Sequence, residues 1–156
     1  MPYEPSPAVY QGTFAAPSGT TSTAALVMLG LGATTSFALI TPQVTGRVLL
    51  VISGIMGNAN GDGTTIQLSY GTGAAPANGA TLTGTQIGQQ STWTSLTGAL
   101  LAPFCLSALI TGLAVPTINA VHQTTAATQV WLDIAFKAVV GGTAALTNVN
   151  ITALEV

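Results

Sequence analysis

The run Thr128–Val140, TQVWLDIAFKAVV, constrains the fold of this chain more than any other stretch. Val130, Leu132, Ile134, Phe136 and Ala138 fall on one side of a two-residue period. Gln129, Trp131, Asp133, Ala135 and Lys137 fall on the other. Two residues is the side-chain period of a β-strand, and helical spacing would scatter the apolar set around the axis. The run is therefore read as a strand with a committed core face. The same alternation recurs in Thr64–Tyr70, where Ile66, Leu68 and Tyr70 oppose Thr65, Gln67 and Ser69. It recurs in Phe104–Leu113 through Phe104, Leu106, Ala108 and Ile110, and in Asn148–Leu154 through Val149, Ile151 and Ala153. Ala24–Leu31, Ser36–Thr41 and Arg47–Ile55 are further candidate strands, and Trp93–Leu100 is a weaker one. Val48–Ile52 differs from the rest. It is apolar at every position, the pattern of a central strand covered on both sides.

Turn signals separate the runs. Asp62-Gly63, Asn78-Gly79 and Gly141-Gly142 suit turns that need a positive φ. Seven or eight short strands without an amphipathic helix define an all-β fold: an antiparallel β-sandwich, most simply a jelly roll of about eight strands. The segment GATLTGTQIGQQST is the one place where a helical turn is expected. Residues 22–156 read as one sandwich domain. Residues 1–21 read as an extended N-terminal arm, because Pro2, Pro5, Pro7 and Pro17 fix φ and remove backbone donors. Tyr3, Tyr10 and Phe14 punctuate that arm. They either pack on its own domain or dock on a neighbour, and docking on a partner is the reading adopted.

Charge narrows the function. In 156 residues there are two basic and four acidic side chains, 4% of the chain against about 25% in an ordinary soluble domain. Such a chain is not disordered by charge, because 48% of it is hydrophobic. Two basic residues cannot neutralise a run of phosphates, so nucleic acid is not an expected partner. Cys105 stands alone, so no disulfide framework is present. The uncharged stretch Gly98–Val115 reaches the length of a membrane-spanning helix. Pro103, Gly112, Ser107 and Thr111 interrupt it, and no Lys or Arg flanks it. A membrane is not an expected partner either. No basic residue precedes Arg47, which argues against a signal peptide.

Titratable chemistry is equally scarce. Asp133 and Lys137 share a strand face but lie about 13 Å apart at about 3.3 Å per residue. Cys105 and His122 form an arithmetical pair only, since Cys105 sits in an apolar run and reads as a small buried hydrophobe. Asn58, Asn60, Asp62 and Gly63 fit the first positions of a calcium loop. The loop brings one carboxylate, and Ser69 stands where the bidentate Glu belongs. A hairpin turn is the better reading of Asn58–Asp62. No catalytic residue, metal ligand or cofactor is expected, and the chain reads as a non-enzyme. Trp131, opposite the core set, and Trp93, in a Gln/Ser/Thr setting, are candidates for a subunit interface, where aromatics are enriched.

A surface so poor in charge cannot rely on repulsion to keep copies apart. Self-association is the expected outcome, and closed symmetric oligomers are its usual form. The phrases GNANGDGTTIQLSYGTGAAPANGATLTGTQIG and GGTAALTNVNITALEV lie either side of a Leu/Ile-rich strand. In this texture the chain, over roughly Thr41–Val156, resembles the small capsid cement (decoration) proteins of tailed bacteriophages. That resemblance implies a jelly-roll-like sandwich, assembled as a homotrimer, bound over junctions of the major capsid protein on the virion surface. It carries no catalytic signature and assigns no individual residue. The competing reading is a head-fibre or tail adhesin that binds a host glycan, with Trp93, Gln89, Gln90 and Thr94 as its loose candidate site.

Overall fold

The computed structural model describes residues 9–14, 19–94, 101–118 and 123–156. Alternating runs become strands wherever one face meets a core. Among the described residues the strands are β1 (Val9–Thr13), β2 (Val27–Met28), β3 (Leu39–Ile40), β4 (Val48–Asn58), β5 (Thr64–Thr72) and β6 (Thr85–Trp93). They continue with β7 (Ala102–Ile110), β8 (Thr117–Ile118), β9 (Gln123–Thr125), β10 (Val130–Ala138) and β11 (Ala144–Glu155). A short helix, α1, spans Leu31–Thr34.

Two sheets face each other. The first runs β1-β11-β4-β7, and the second runs β2-β10-β5-β6 with β3 also paired to β10. With the short β3, β8 and β9 set aside, eight strands remain. The outermost in sequence pair first: β1 with β11, β2 with β10, β4 with β7 and β5 with β6, all antiparallel. A long hairpin wound over itself has this pairing, and it is a jelly roll, as the alternation predicts. Winding leaves β1 and β7 as the edges of the first sheet, and β2 and β6 as the edges of the second.

The core lies between the sheets. Leu50 and Ile52 from β4, Ile66 and Leu68 from β5, Leu132, Ile134 and Phe136 from β10, and Ile151 from β11 are buried there. Each such side chain contributes about 1.5–3 kcal/mol on burial. The core set read from Val130 to Ala138 is buried at every position. Val149, Ile151 and Ala153 also face inward. They keep that side because a bulge between Thr147 and Asn150, with Asn148 at φ 50, absorbs one residue.

Four expectations change. The candidate strand Ala24–Leu31 contributes only the two residues of β2, then turns at Gly30 (φ 81) into α1. A side chain at Gly30 would collide with the backbone of Asn78, so the chain must bend there. Ser36–Thr41 divides into a 3₁₀ turn, Ser36–Ala38, and the short β3. The segment expected to hold a helical turn contains strand β6. Finally, Val9–Thr13 of the expected arm is an edge strand of the first sheet, so the sandwich extends into residues 1–21.

Candidate functional site

Charge was the scarcest resource of the sequence, and the fold directs two of its carboxylates inward. Asp133, on the outer side of β10, is fully buried. Its Oδ2 accepts from Gly30 N at 2.9 Å, and its Oδ1 accepts from Leu31 N at 3.2 Å and from Ile134 N at 2.8 Å. It therefore caps the start of α1 from roughly a hundred residues away. Burial pushes its carboxyl up to about 7, with the three N–H donors opposing that rise. Glu155 ends β11 inside a cup formed by residues 43–46. Oε2 accepts from Gln43 N, and Oε1 accepts from the N–H groups of Val44, Thr45 and Gly46, at 2.7 to 3.1 Å. Burial alone would raise its carboxyl. The four donors outweigh that and hold it down to about 2. Lys137 donates to Thr23 O at 3.3 Å. These groups hold backbone in place, and among the described residues no three His, Cys, Asp or Glu side chains converge on a point.

Trp131 belongs to a small second core. Leu26, Met28, Trp131 and Ala135 pack together on the outer face of the second sheet, with Leu39, Ala75, Ala80 and Leu82 around them. The same chain covers the indole, which is 3% exposed. Gly71 and Gly84 both abut the ring, and a side chain at either would overlap it. Trp131 is thus packed within its own chain. Trp93, at the end of β6, is half-buried and packs against the main core. Gln89, Gln90 and Thr94 are exposed beside it.

The arm residues have separate fates. Phe14 is 6% exposed and sits in the main core, while its N–H donates to Val149 O at 2.8 Å. Tyr10 is half-buried, and its Oη accepts from Thr41 N at 3.3 Å. An open groove beside it is lined by Gln11, Phe37, Leu39, Thr41 and Gln129. Both aromatics face their own domain, because Val9–Thr13 pairs with β11 and carries them inward. Tyr3 lies outside the described residues.

In the Asn58–Asp62 turn, Asn58 Nδ2 donates to Gly63 O at 2.9 Å and to Gly141 O at 2.8 Å. Its Oδ1 accepts from Asn60 N at 3.0 Å. The Asn58 amide therefore ties the β4–β5 turn to the β10–β11 turn, the role of a hairpin scaffold. Cys105 is exposed on the outer face of β7, against the expectation of a buried thiol. It falls on the polar side of the alternation that buries Phe104. His122 lies outside the described residues. Gly98–Val115 contains strand β7 rather than a helix, and among the described residues no helix is long and apolar enough to cross a membrane.

The sequence reading missed the outer face of the first sheet. Leu49, Leu109 and Val9 are exposed there, and Leu154 is half-buried beside them. The doubly apolar pattern of Val48–Ile52 was its signal.

No protein-family model matches the chain, and no curated protein matches it. Among solved structures it is similar to a chain of the infectious bursal disease virus Gx strain, at 16% identity and a TM-score of 0.38, over 97% of this chain and 38% of that one. It is likewise similar to the VP2 subviral particle of infectious bursal disease virus, at 15% identity and a TM-score of 0.38, over 96% of this chain and 37% of that one. The chain thus spans well under half the length of either neighbour.

Proposed function

We propose that this chain is a structural, non-enzymatic virion protein: a capsid cement protein that assembles with copies of itself and binds the outside of a major capsid shell. The observation that carries this reading is the outer face of the first sheet, four strands wide, uncharged along its strands and apolar at one end. A face of that kind suits permanent cover more than free diffusion. The two buried carboxylates support it, since they act as backbone acceptors rather than as convergent acid–base partners. The resemblance to phage cement proteins adds the trimer and the virion surface as the expected setting. Phe14 and Tyr10 face inward, so contact with the shell falls to the segment before Val9, with Tyr3 and three prolines. The mechanism is mechanical: each bound oligomer adds apolar and backbone contacts across capsomer junctions and resists expansion from within. Particles lacking the protein are expected to release their genome at a lower temperature than complete particles. An unchanged release temperature, measured by dye access to the nucleic acid, overturns the reading.

A further inference from the structure

Strand β4 sets its sequence pattern against its surroundings. Val48–Ile52 is apolar on both faces, the pattern of a strand covered on both sides. In the fold β4 is central in its sheet, yet among the described residues only its inner face is covered, and Leu49 is 37% exposed. The sheet register shows what lies beside it. Leu49 is directly opposite Leu109 on β7 and Leu154 on β11, and Leu154 is opposite Val9 on β1. Opposed residues of antiparallel strands share a face, so these four side chains form one apolar row across the whole sheet. Leu109 is 46% exposed and Val9 62%. The next two rows toward Ser53 hold Thr, Ser, Gln and Asn with Val51 and Cys105, and no charge. On the other side, Arg47, two residues before Leu49 and exposed, borders the row at the end of the sheet. The second sheet also carries apolar residues on its outer face, but there Leu26, Met28 and the residues around Leu82 cover them. Among the described residues nothing covers the row on the first sheet.

We propose that the row of Val9, Leu154, Leu49 and Leu109 is the self-association surface of this protein, packed against further copies of the same chain around a rotation axis. Charge selects a copy over a foreign partner. Near a rotation axis of any order, each residue meets its own equivalents, so any charge placed there would face a like charge. Three uncharged rows meet that condition, while a foreign partner would find no charge by which to be chosen. A lone cation at the rim is where subunit interfaces keep their charges. The inference rests on the self-assembly half of the function proposed above and names the surface that performs it.

Sedimentation of the full chain across a concentration series tests it. The unaltered chain is expected to associate, and Leu109→Glu and Leu49→Glu are each expected to weaken association by at least about thirty-fold. Val140→Glu, at an exposed turn away from the sheet face, is expected to leave association unchanged. Cys105 supplies a second readout that requires no variant, because it shares the face with the row. Its reaction with a thiol reagent should slow as the unaltered chain associates. A chain that stays monomeric, association untouched by both Leu substitutions, or a Cys105 equally reactive at every concentration each overturns the proposal. Particle binding separates this from the cement reading. A chain that associates through the row but does not bind particles removes the cement role and leaves the row assigned. A monomeric chain whose particle binding is abolished by Leu109→Glu assigns the row to the shell and overturns the proposal.

Discussion

At the scale of single residues, Asp133 and Glu155 are two carboxylates that the fold treats in opposite ways. Asp133 has a carboxyl raised from 3.8 to about 7, so the folded state favours its neutral form. The stability it contributes is complete below the unfolded value and is lost as pH rises through about 7. Glu155 is lowered from 4.5 to about 2, so its contribution is complete above the unfolded value and is lost as pH falls through about 2. Together they place the best pH for these two groups in the mildly acidic range. Denaturant midpoints should fall between about pH 5 and about pH 8 in the unaltered chain, and Asp133→Asn should flatten that slope. The variant should also be less stable at the acid end, because its amide leaves one of the Gly30, Leu31 and Ile134 N–H groups without an acceptor. Glu155→Gln should lower stability by about 2 kcal/mol near neutral pH, since one N–H of the residue 43–46 cup then faces an amide donor. It should also flatten the acid limb of the same curve. A midpoint that rises from pH 5 to pH 8 in the unaltered chain contradicts the first expectation. Neither role was legible in the sequence. The donors to Asp133 include Gly30 and Leu31, and those to Glu155 lie more than a hundred residues away, so only the fold brings them together.

At the scale of elements, legibility followed which faces were buried. Strand β10 was readable because its inner face meets the core at every second residue, and β5 and β7 were readable for the same reason. Strand β6 was not. It is an exposed edge whose register slips opposite Ile66 and Leu68, near Gly88 (φ 71), and a largely uncovered strand needs no apolar alternation. Helix α1 was invisible because four residues have no periodicity and their N-terminal acceptor comes from β10. The two outer faces reversed expectation. β10, with polar residues on its second face, is covered there by its own chain, whereas β4, apolar on both faces, is left open among the described residues. The cover over β10 depends on how closely the loop approaches the indole. Gly84→Ala places a side chain at φ 79 against the Trp131 ring and should destabilise by about 3 kcal/mol or more. Gly79→Ala, at φ 80 in the same loop, meets no neighbouring atom and should cost only about 1 kcal/mol. In a Trp93→Phe background, the indole emission of Gly84→Ala should shift to the red while that of Gly79→Ala stays in place. Equal losses in the two variants would mean that the loop does not pack on Trp131 as described.

At the scale of the whole molecule, the separation of arm from domain decides how the arm can be tested. The sequence places that boundary after residue 21, where the last arm proline and the Thr-rich stretch end. Hydrogen bonding places the start of the sandwich at Val9, since Val9–Thr13 pairs residue by residue with Leu154–Asn150 and Phe14 fills the core. Deleting residues 1–21 therefore strips an edge strand and an aromatic from the sandwich. Loss of a buried Phe alone costs about 3–5 kcal/mol, a large part of the stability of a domain this size. That deletion should yield a chain that melts far lower or fails to fold, and its failure to bind particles would be uninformative about docking. Deleting residues 1–8 removes Tyr3 and three prolines and leaves β1 paired. The shorter deletion should keep the melting temperature within a few degrees of the full chain and keep its association in solution. If the segment before Val9 is the clamp on the shell, the same deletion should lower particle occupancy by at least tenfold. Full occupancy by the residue 9–156 chain would move the capsid contact onto the sandwich itself, where the groove beside Tyr10 and Phe37 is the next surface to alter.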